Sequence, residues 1–381
     1  MMETQSLSSD RISSLPQNII DTILTLIPIR DALRTSILSK KWRYSWMTMP
    51  KLVFDHNLVP VKPVGELMLK YRLVDVIFHV LLMQNCPTFI MFKLDINKLG
   101  MRTEFDQMIL YLYRRTNVKD LIIDTLSLFY TLPSSFFLLQ GLESLRLKYC
   151  EFKPPVTFNG FNKLKKMHIN NVQVSAQVLL HFLSNCPLLE DVVLIGFESD
   201  YPEETSSNFV TFFQCAPLIH TLRISKYYMK LFAAAGGMPN KLPTPLHLKR
   251  VDLNVCLREQ DVITFALCII RSSPNLVKLL FEMYDNEELS TQESFVNFVD
   301  LQDDLSLTLD NLEHFDILSF SNNKFEMEFV KLIMAKSPVL KIARITLKYG
   351  VSAAEELKIL RDLIYLPFPR ASHSGKLIIK R

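Results

Sequence analysis

Beyond residue 80 one pattern of apolar positions recurs along the chain, apolar-x-x-apolar-x-apolar. It starts at Phe89, Val118, Leu142, Leu164, Leu189, Ile219, Leu248, Leu276, Leu312 and Leu340, at intervals of 22 to 36 residues. The last two apolar positions of each unit stand two apart, as on one face of a short strand. Half the chain is apolar, so the punctuation carries the argument. In five of the ten units a proline stands two residues before the start: Pro87, Pro187, Pro217, Pro274 and Pro338. Apolar pairs precede these prolines, such as Phe182-Leu183 and Ile269-Ile270, with partners one turn back at Leu179 and Phe265. The spacing predicts a short amphipathic helix, a proline stop and a brief strand, repeated.

The segment Asp10 to Asp55 has a different texture. Leu15, Ile19, Ile20, Ile23, Leu24 and Ile27 form one wide helical stripe. Ser14 is placed to cap it, Pro16 suits its first turn, and Pro28 ends it. Asp31 is placed to cap a second helix carrying Ala32, Leu33, Ile37 and Leu38, and Ser39 a third. That third helix holds both tryptophans of the chain, Trp42 and Trp46, four apart among Lys40, Lys41 and Arg43. Such a pair suits an interface with a wet rim, and it equally suits closing a mini-core. A basic helix with aromatics also touches nucleic acid in some proteins, but only three charges cluster here.

The run Asp10-Arg-Ile-Ser-Ser-Leu-Pro-Gln-Asn-Ile-Ile, then Ile27-Pro-Ile-Arg-Asp-Ala-Leu-Arg-Thr-Ser-Ile-Leu-Ser-Lys-Lys-Trp-Arg, then Trp46, resembles a plant-type F-box. The match is ungapped to Phe54-Asp55, with Gln17-Asn18 where family members usually place an acidic residue. The resemblance implies docking onto a Skp-family adaptor and, through it, a cullin. By motif position the docking face comprises Leu15, Pro16, Ile20, Ile23, Leu24, Ile27, Pro28, Leu33, Ser36, Leu38, Trp42 and Trp46. The later pattern resembles irregular plant leucine-rich repeats, whose units run to ~20–29 residues. Cys150, Cys256 and Asn97 fall at the eighth residue after their unit starts, a slot that takes Asn or Cys in that consensus.

From Asn311 the flanks lengthen, with Phe329 to Pro338, a helix over Ser352 to Leu366 whose apolar positions are Leu357, Leu360, Leu363 and Ile364, and a last strand in Gly375-Lys-Leu-Ile-Ile-Lys. Leu366-Pro-Phe-Pro-Arg-Ala-Ser and the helices before it resemble the FBD module of plant F-box proteins. The expected architecture is therefore α/β. A three-helix F-box spans 8–55, an irregular leucine-rich-repeat solenoid of parallel strands and short helices spans 56–310, and an FBD cap spans 311–381.

Composition removes other classes. The nine glycines are never two or four apart, which excludes G-x-G-x-x-G and G-x-S-x-G, and Arg370 stands where a P-loop ending at Gly375-Lys376 needs its first glycine. The six cysteines lack C-x-x-C spacing, and no third ligand accompanies Cys186 and His181. No enzyme, metal or cofactor is expected. The net charge is +4, with 11 carboxylates and no Lys or Arg between Leu279 and Asn323. The remaining basic excess is diffuse, so neither nucleic acid nor membrane is an expected partner. No apolar run reaches the ~18 residues of a membrane span, and the N-terminus lacks a signal-peptide core. An intracellular protein of nucleus or cytoplasm is expected.

The functional expectation is a substrate receptor of an SCF-type ubiquitin ligase; the alternative is a non-degradative binding scaffold with the same docking module. The target protein would meet the strand positions that face away from the core, foremost Arg146, Lys165, Lys166, His168 and Arg223, with signs that alternate from strand to strand. Two interruptions, Glu198 to Asn208 and Tyr227 to Leu246, read as polar and Gly/Pro-rich loops.

Overall fold

The computed structural model describes residues 11–55, 58–59, 65–86, 90–95, 102–115, 117–124, 130–196, 210, 213–214, 216–233, 239–284, 307–364, 372 and 375–381. They fall into two compact units, 1–163 and 164–381.

The first unit opens with helices α1 (Gln17–Leu26) and α2 (Ile29–Arg34), then 3-10 turns over Thr35–Ile37 and Trp42–Thr48. Ser14 does not cap α1. Its hydroxyl donates to the Arg11 carbonyl at 3.0 Å, and Pro16 takes the cap position, its carbonyl accepting from Ile19 and Ile20. Proline suits that place because a helix start needs its carbonyl and not its missing N–H. Pro28 does the same for α2, so Asp31 sits inside the first turn instead of at the cap. Ser39 caps as expected, its Oγ accepting from the Trp42 N–H at 3.4 Å.

Strand β1 (Lys51–Asp55) follows, then α3 (Glu66–Met83), β2 (Met91–Asp95), α4 (Arg102–Arg115), β3 (Asp120–Asp124), β4 (Tyr130–Thr131), β5 (Ser144–Lys148) and β6 (Cys150–Glu151). Strands β1, β2, β3 and β5 pair in parallel with one register, Lys51 beside Met91, Asp120 and Ser144. On either side of β5 in the chain, Phe136, Phe137, Phe152, Phe158 and Phe161 pack edge-on with ring centroids about 5–6 Å apart.

The second unit contains β7 (Lys166–Asn170), α5 (Ala176–Ser184), β8 (Asp191–Ile195), β9 (Thr221–Ile224), α6 (Lys226–Ala233), β10 (Arg250–Val255), α7 (Gln260–Arg271), β11 (Lys278–Met283), β12 (His314–Phe320), α8 (Lys324–Lys336), β13 (Ile342–Leu347), α9 (Ala353–Ile364) and β14 (Lys376–Lys380). Its eight strands among the described residues pair in parallel in chain order, Lys166 beside Asp191, Thr221, Arg250, Lys278, His314, Ile342 and Lys376.

All ten strands predicted from the repeat start two residues after the apolar residue that opens their unit. The reason is geometric. Where the first apolar residue is described it anchors the turn below the sheet, as Leu142, Leu189 and Leu248 do, and the next two, such as Leu145/Leu147 and Val251/Leu253, point into the core. The rung below each strand is fixed by backbone. The carbonyls of Lys165, Glu190, His220, Lys249, Val277, Glu313 and Lys341 each accept from the next turn of the second unit, mostly from two successive N–H groups.

Helices end where proline demands it: α5, α7 and α8 stop three, three and two residues before Pro187, Pro274 and Pro338. The residue before each of these prolines is small and buried, Cys186, Ser273 or Ser337, and both serines donate back to the helix, to Ile269 and Ile333 carbonyls. Cys86 is half-buried and Cys150, Cys256 and Cys268 are buried. Pro87, Phe89, Asn97, Cys215, the Glu198–Asn208 loop and the Leu366-Pro-Phe-Pro-Arg-Ala stretch lie outside the described residues.

Two expectations are corrected. The segment Tyr227–Leu246 opens not as a loop but on α6, which buries Tyr228, Met229 and Phe232. The helical spacing was there, overshadowed by the glycines and prolines that follow. In α9 the inward residues are Ile359 and Leu363, whereas Leu357 is 66% exposed.

Candidate interaction surfaces

In the N-terminal helices, Ile20, Leu24, Ile29, Ala32, Trp42, Trp46 and Met49 make a closed core. Trp42 is 3% and Trp46 4% exposed, and the Trp42 indole N–H donates to the Ile12 carbonyl at 3.0 Å, tying the incoming chain down. Lys41 donates to the Leu15 carbonyl. The Gln17 amide spans Asp21 at 2.8 Å and Ser45 at 3.3 Å, crossing from α1 to the tryptophan helix.

The residues expected on a docking face therefore divide. Ile20, Leu24, Trp42 and Trp46 lie in the core, while Leu15, Ile23, Ile27, Leu33 and Ser36 are half-buried and Pro16, Pro28 and Leu38 are exposed. Beside them the structure exposes Leu26 at 79% and Ile37 at 88%, two residues outside that expected set. Ile37 belonged to the apolar pattern of the second helix. The 3-10 turn Thr35–Ile37 rotates it outward.

On the repeat strands, every second side chain faces away from the core. Arg146 is exposed on β5 of the first unit. In the second unit Lys165 and Lys166 are exposed at the start of β7, and His168 stands opposite Val193, which stands opposite Arg223. The register thus brings His168 and Arg223 into one row, two strands apart. His168 Nε2 is 3.4 Å from Asp191 Oδ2. Burial alone would push the Asp191 carboxyl up; the hydrogen bond and charge of His168, with the charges of Lys166 and His220, outweigh it and hold the carboxyl below its usual range.

Arg223 is part of a denser cluster than the sequence suggested. Its Nε and Nη2 donate to Asp252 Oδ2 at 3.1 and 2.7 Å, and Arg250 grips the same carboxylate through Nη2 at 2.9 Å. Hydrogen bonding to Asp252 in turn raises the Arg250 pKa. Beside this cluster, Ile195, Ser225, Asn254, Leu280, Glu282 and Leu318 help to line a hollow of about 330 Å³. Gly196 lies at its edge because a side chain there would collide with the Tyr227 ring, 2.6 Å from an added Cβ. Arg250 and Asp252 are two and four residues after the start of the unit at Leu248, so the repeat itself marks them as outward.

Among the described residues no group of three or more His, Cys, Asp or Glu is placed to hold a metal ion, and no helix is long and apolar enough to cross a membrane.

A helical module with a closed tryptophan core, followed by in-register parallel strands each preceded by a short helix or turn, is the build of an F-box protein with leucine-rich repeats. Comparison with known proteins agrees. The F-box domain model matches residues 12–54, and the model described as "FBD-associated F-box protein At5g56370, LRR repeats" matches residues 108–210. The F-box/FBD/LRR-repeat protein At1g13570 of Arabidopsis thaliana is 29% identical over 97% of this chain and 98% of its own length. The Arabidopsis F-box/LRR-repeat protein At4g14096 is 33% identical over 49% of this chain and 40% of its own length. Residues 12–54 are thus similar to an F-box domain, and nearly the whole chain is similar to an Arabidopsis F-box/FBD/LRR-repeat protein.

Proposed function

We propose that this chain is the substrate-receptor subunit of an SCF-type ubiquitin ligase. Residues 8–55 dock a Skp-family adaptor and through it a cullin, the repeats of 56–310 hold a target protein, and the FBD module of 311–381 closes the array. The chain makes and breaks no covalent bond; it raises the effective concentration of target beside the ubiquitin-loaded enzyme.

One observation carries the reading. Apolar Leu26, Ile37 and Leu38 stay exposed around a helical module whose own core is already complete. A module of about 45 residues gains little by exposing such residues unless a partner covers them. The adaptor face is thus Leu26, Ile37 and Leu38 with Pro16, Pro28 and the half-buried Leu15, Ile23, Ile27, Leu33 and Ser36. Ile20, Leu24, Trp42 and Trp46 hold that face in shape from beneath. The target face includes Arg146, Lys165, Lys166, His168 and Arg223.

The test is an adaptor pull-down with the double variant Ile37→Asp/Leu38→Asp. Both side chains are exposed, so folding should persist by circular dichroism, while loss of two central contacts lowers affinity by roughly 30-fold or more. Undiminished adaptor binding overturns the docking assignment. A target whose half-life is unchanged when the chain is depleted points instead to the non-degradative scaffold.

A further inference from the structure

The hollow beside Arg223 departs from the rest of the outward face in two respects. Outward strand positions are polar by default, yet here Ile195 on β8, Leu280 on β11 and Leu318 on β12 give it an apolar floor. Between them stands a fixed cationic wall. Asp252, with a side chain only 5% exposed, is shared by Arg223 and Arg250, whose side chains are 47% and 43% exposed. Two guanidinium groups on one buried carboxylate leave one net positive charge, and Arg223 is held by two of its donors before any ligand arrives. Lys226, on the same rim, lies 4.4 Å from the centroid of the Tyr284 ring. Glu282 supplies the opposite sign two strands away, roughly 10 Å at ~4.8 Å per strand.

We propose that this hollow is the anchoring site for the target, and that it takes a target segment presenting a bulky apolar side chain next to a carboxylate. The inference rests on the substrate-receptor reading and specifies its recognition chemistry. The volume suits one or two large side chains. The apolar floor favours a non-polar anchor, and the Arg223 end selects acidic over basic neighbours. Because Asp252 already immobilises Arg223, little side-chain entropy is lost on binding. Glu282 repels a carboxylate at the far end and so fixes the direction in which the segment lies.

The experiment uses the full chain bound to its adaptor and fluorescence anisotropy of three labelled peptides. One carries a Leu-Phe pair flanked by glutamates. The second replaces the glutamates with lysines, and the third replaces Leu-Phe with alanines. The first should bind at least tenfold tighter than either other, with an affinity that falls as salt rises. Arg223→Glu and, separately, Leu280→Asp should each remove that preference. Leu280 is only half-buried and makes no part of the Asp252 clamp, so its variant keeps the test valid if Arg223→Glu destabilises the fold. Lys163→Glu, an exposed charge outside both proposed faces, should leave the preference intact. Equal binding of the three peptides, or a preference that survives both variants, overturns the proposal while adaptor capture stands. Failure of adaptor capture with the peptide preference retained overturns the ligase reading and leaves the site.

Discussion

Tyr228 illustrates how much a single side chain reveals. Its ring is fully buried under Gly196, and its hydroxyl has no hydrogen-bond partner among the described residues. Burial, with a smaller contribution from Tyr227, pushes the phenol far above its ordinary pKa, so it stays neutral. A buried polar group without a partner costs about 1–3 kcal/mol, and removing it while keeping the ring recovers part of that. Tyr228→Phe should therefore raise stability by about 1 kcal/mol in urea denaturation; a lower midpoint would show a hydrogen bond at that hydroxyl. The sequence marked Tyr228 only as part of a loop, because hydroxyl satisfaction depends on neighbours distant in the chain.

At the scale of elements, the tryptophan helix decides whether the N-terminal module folds. Trp42 joins a core of few residues and anchors Ile12 through its indole N–H. Truncating a buried Trp typically costs ~3–5 kcal/mol, more than a module of this size has in reserve. Trp42→Ala should raise amide hydrogen exchange across residues 12–54 while strands β7 to β14 keep their protection. Exchange unchanged in the module would show that the tryptophan is not its keystone. Loss of adaptor binding in this variant thus reports unfolding, unlike Ile37→Asp/Leu38→Asp. Other elements are set more locally. At α8, Asn323 accepts from the Glu326 N–H at 2.9 Å while Glu326 accepts from the Ser321 N–H at 2.8 Å.

For the whole chain, the ion pairs along the strands predict an acid limit. Hydrogen bonding from Lys153 and then Thr131 lowers Glu151, and Lys341 lowers Glu313. Backbone and side-chain hydrogen bonds of Ser352 lower Glu355, and Asp191 is lowered as described. A carboxylate depressed in the folded state adds stability that is complete above its unfolded pKa of roughly 4 and vanishes as pH falls through the folded value. Urea midpoints should hold from pH 7 to about 5 and then drop toward pH 3, with a smaller drop in Asp191→Asn. A midpoint equal at pH 7 and pH 3 would refute this.

The sequence by itself determined the repeat, its phase and the identity of the N-terminal module. The positions that anchor each turn are local in the chain, so period and proline punctuation located ten strand starts without error. Even β1, which lies before residue 80 and outside the predicted array, obeys the same rule, with Met49, Leu52 and Phe54 buried. Tertiary structure alone decided which apolar side chains of the F-box close its core and which stay outside, since a helical stripe does not say which partner covers it. It also decided that Arg223 and Arg250 share Asp252. Arg223 and Asp252 are 29 residues apart, and they meet because in-register parallel stacking turns equal positions in successive repeats into neighbours.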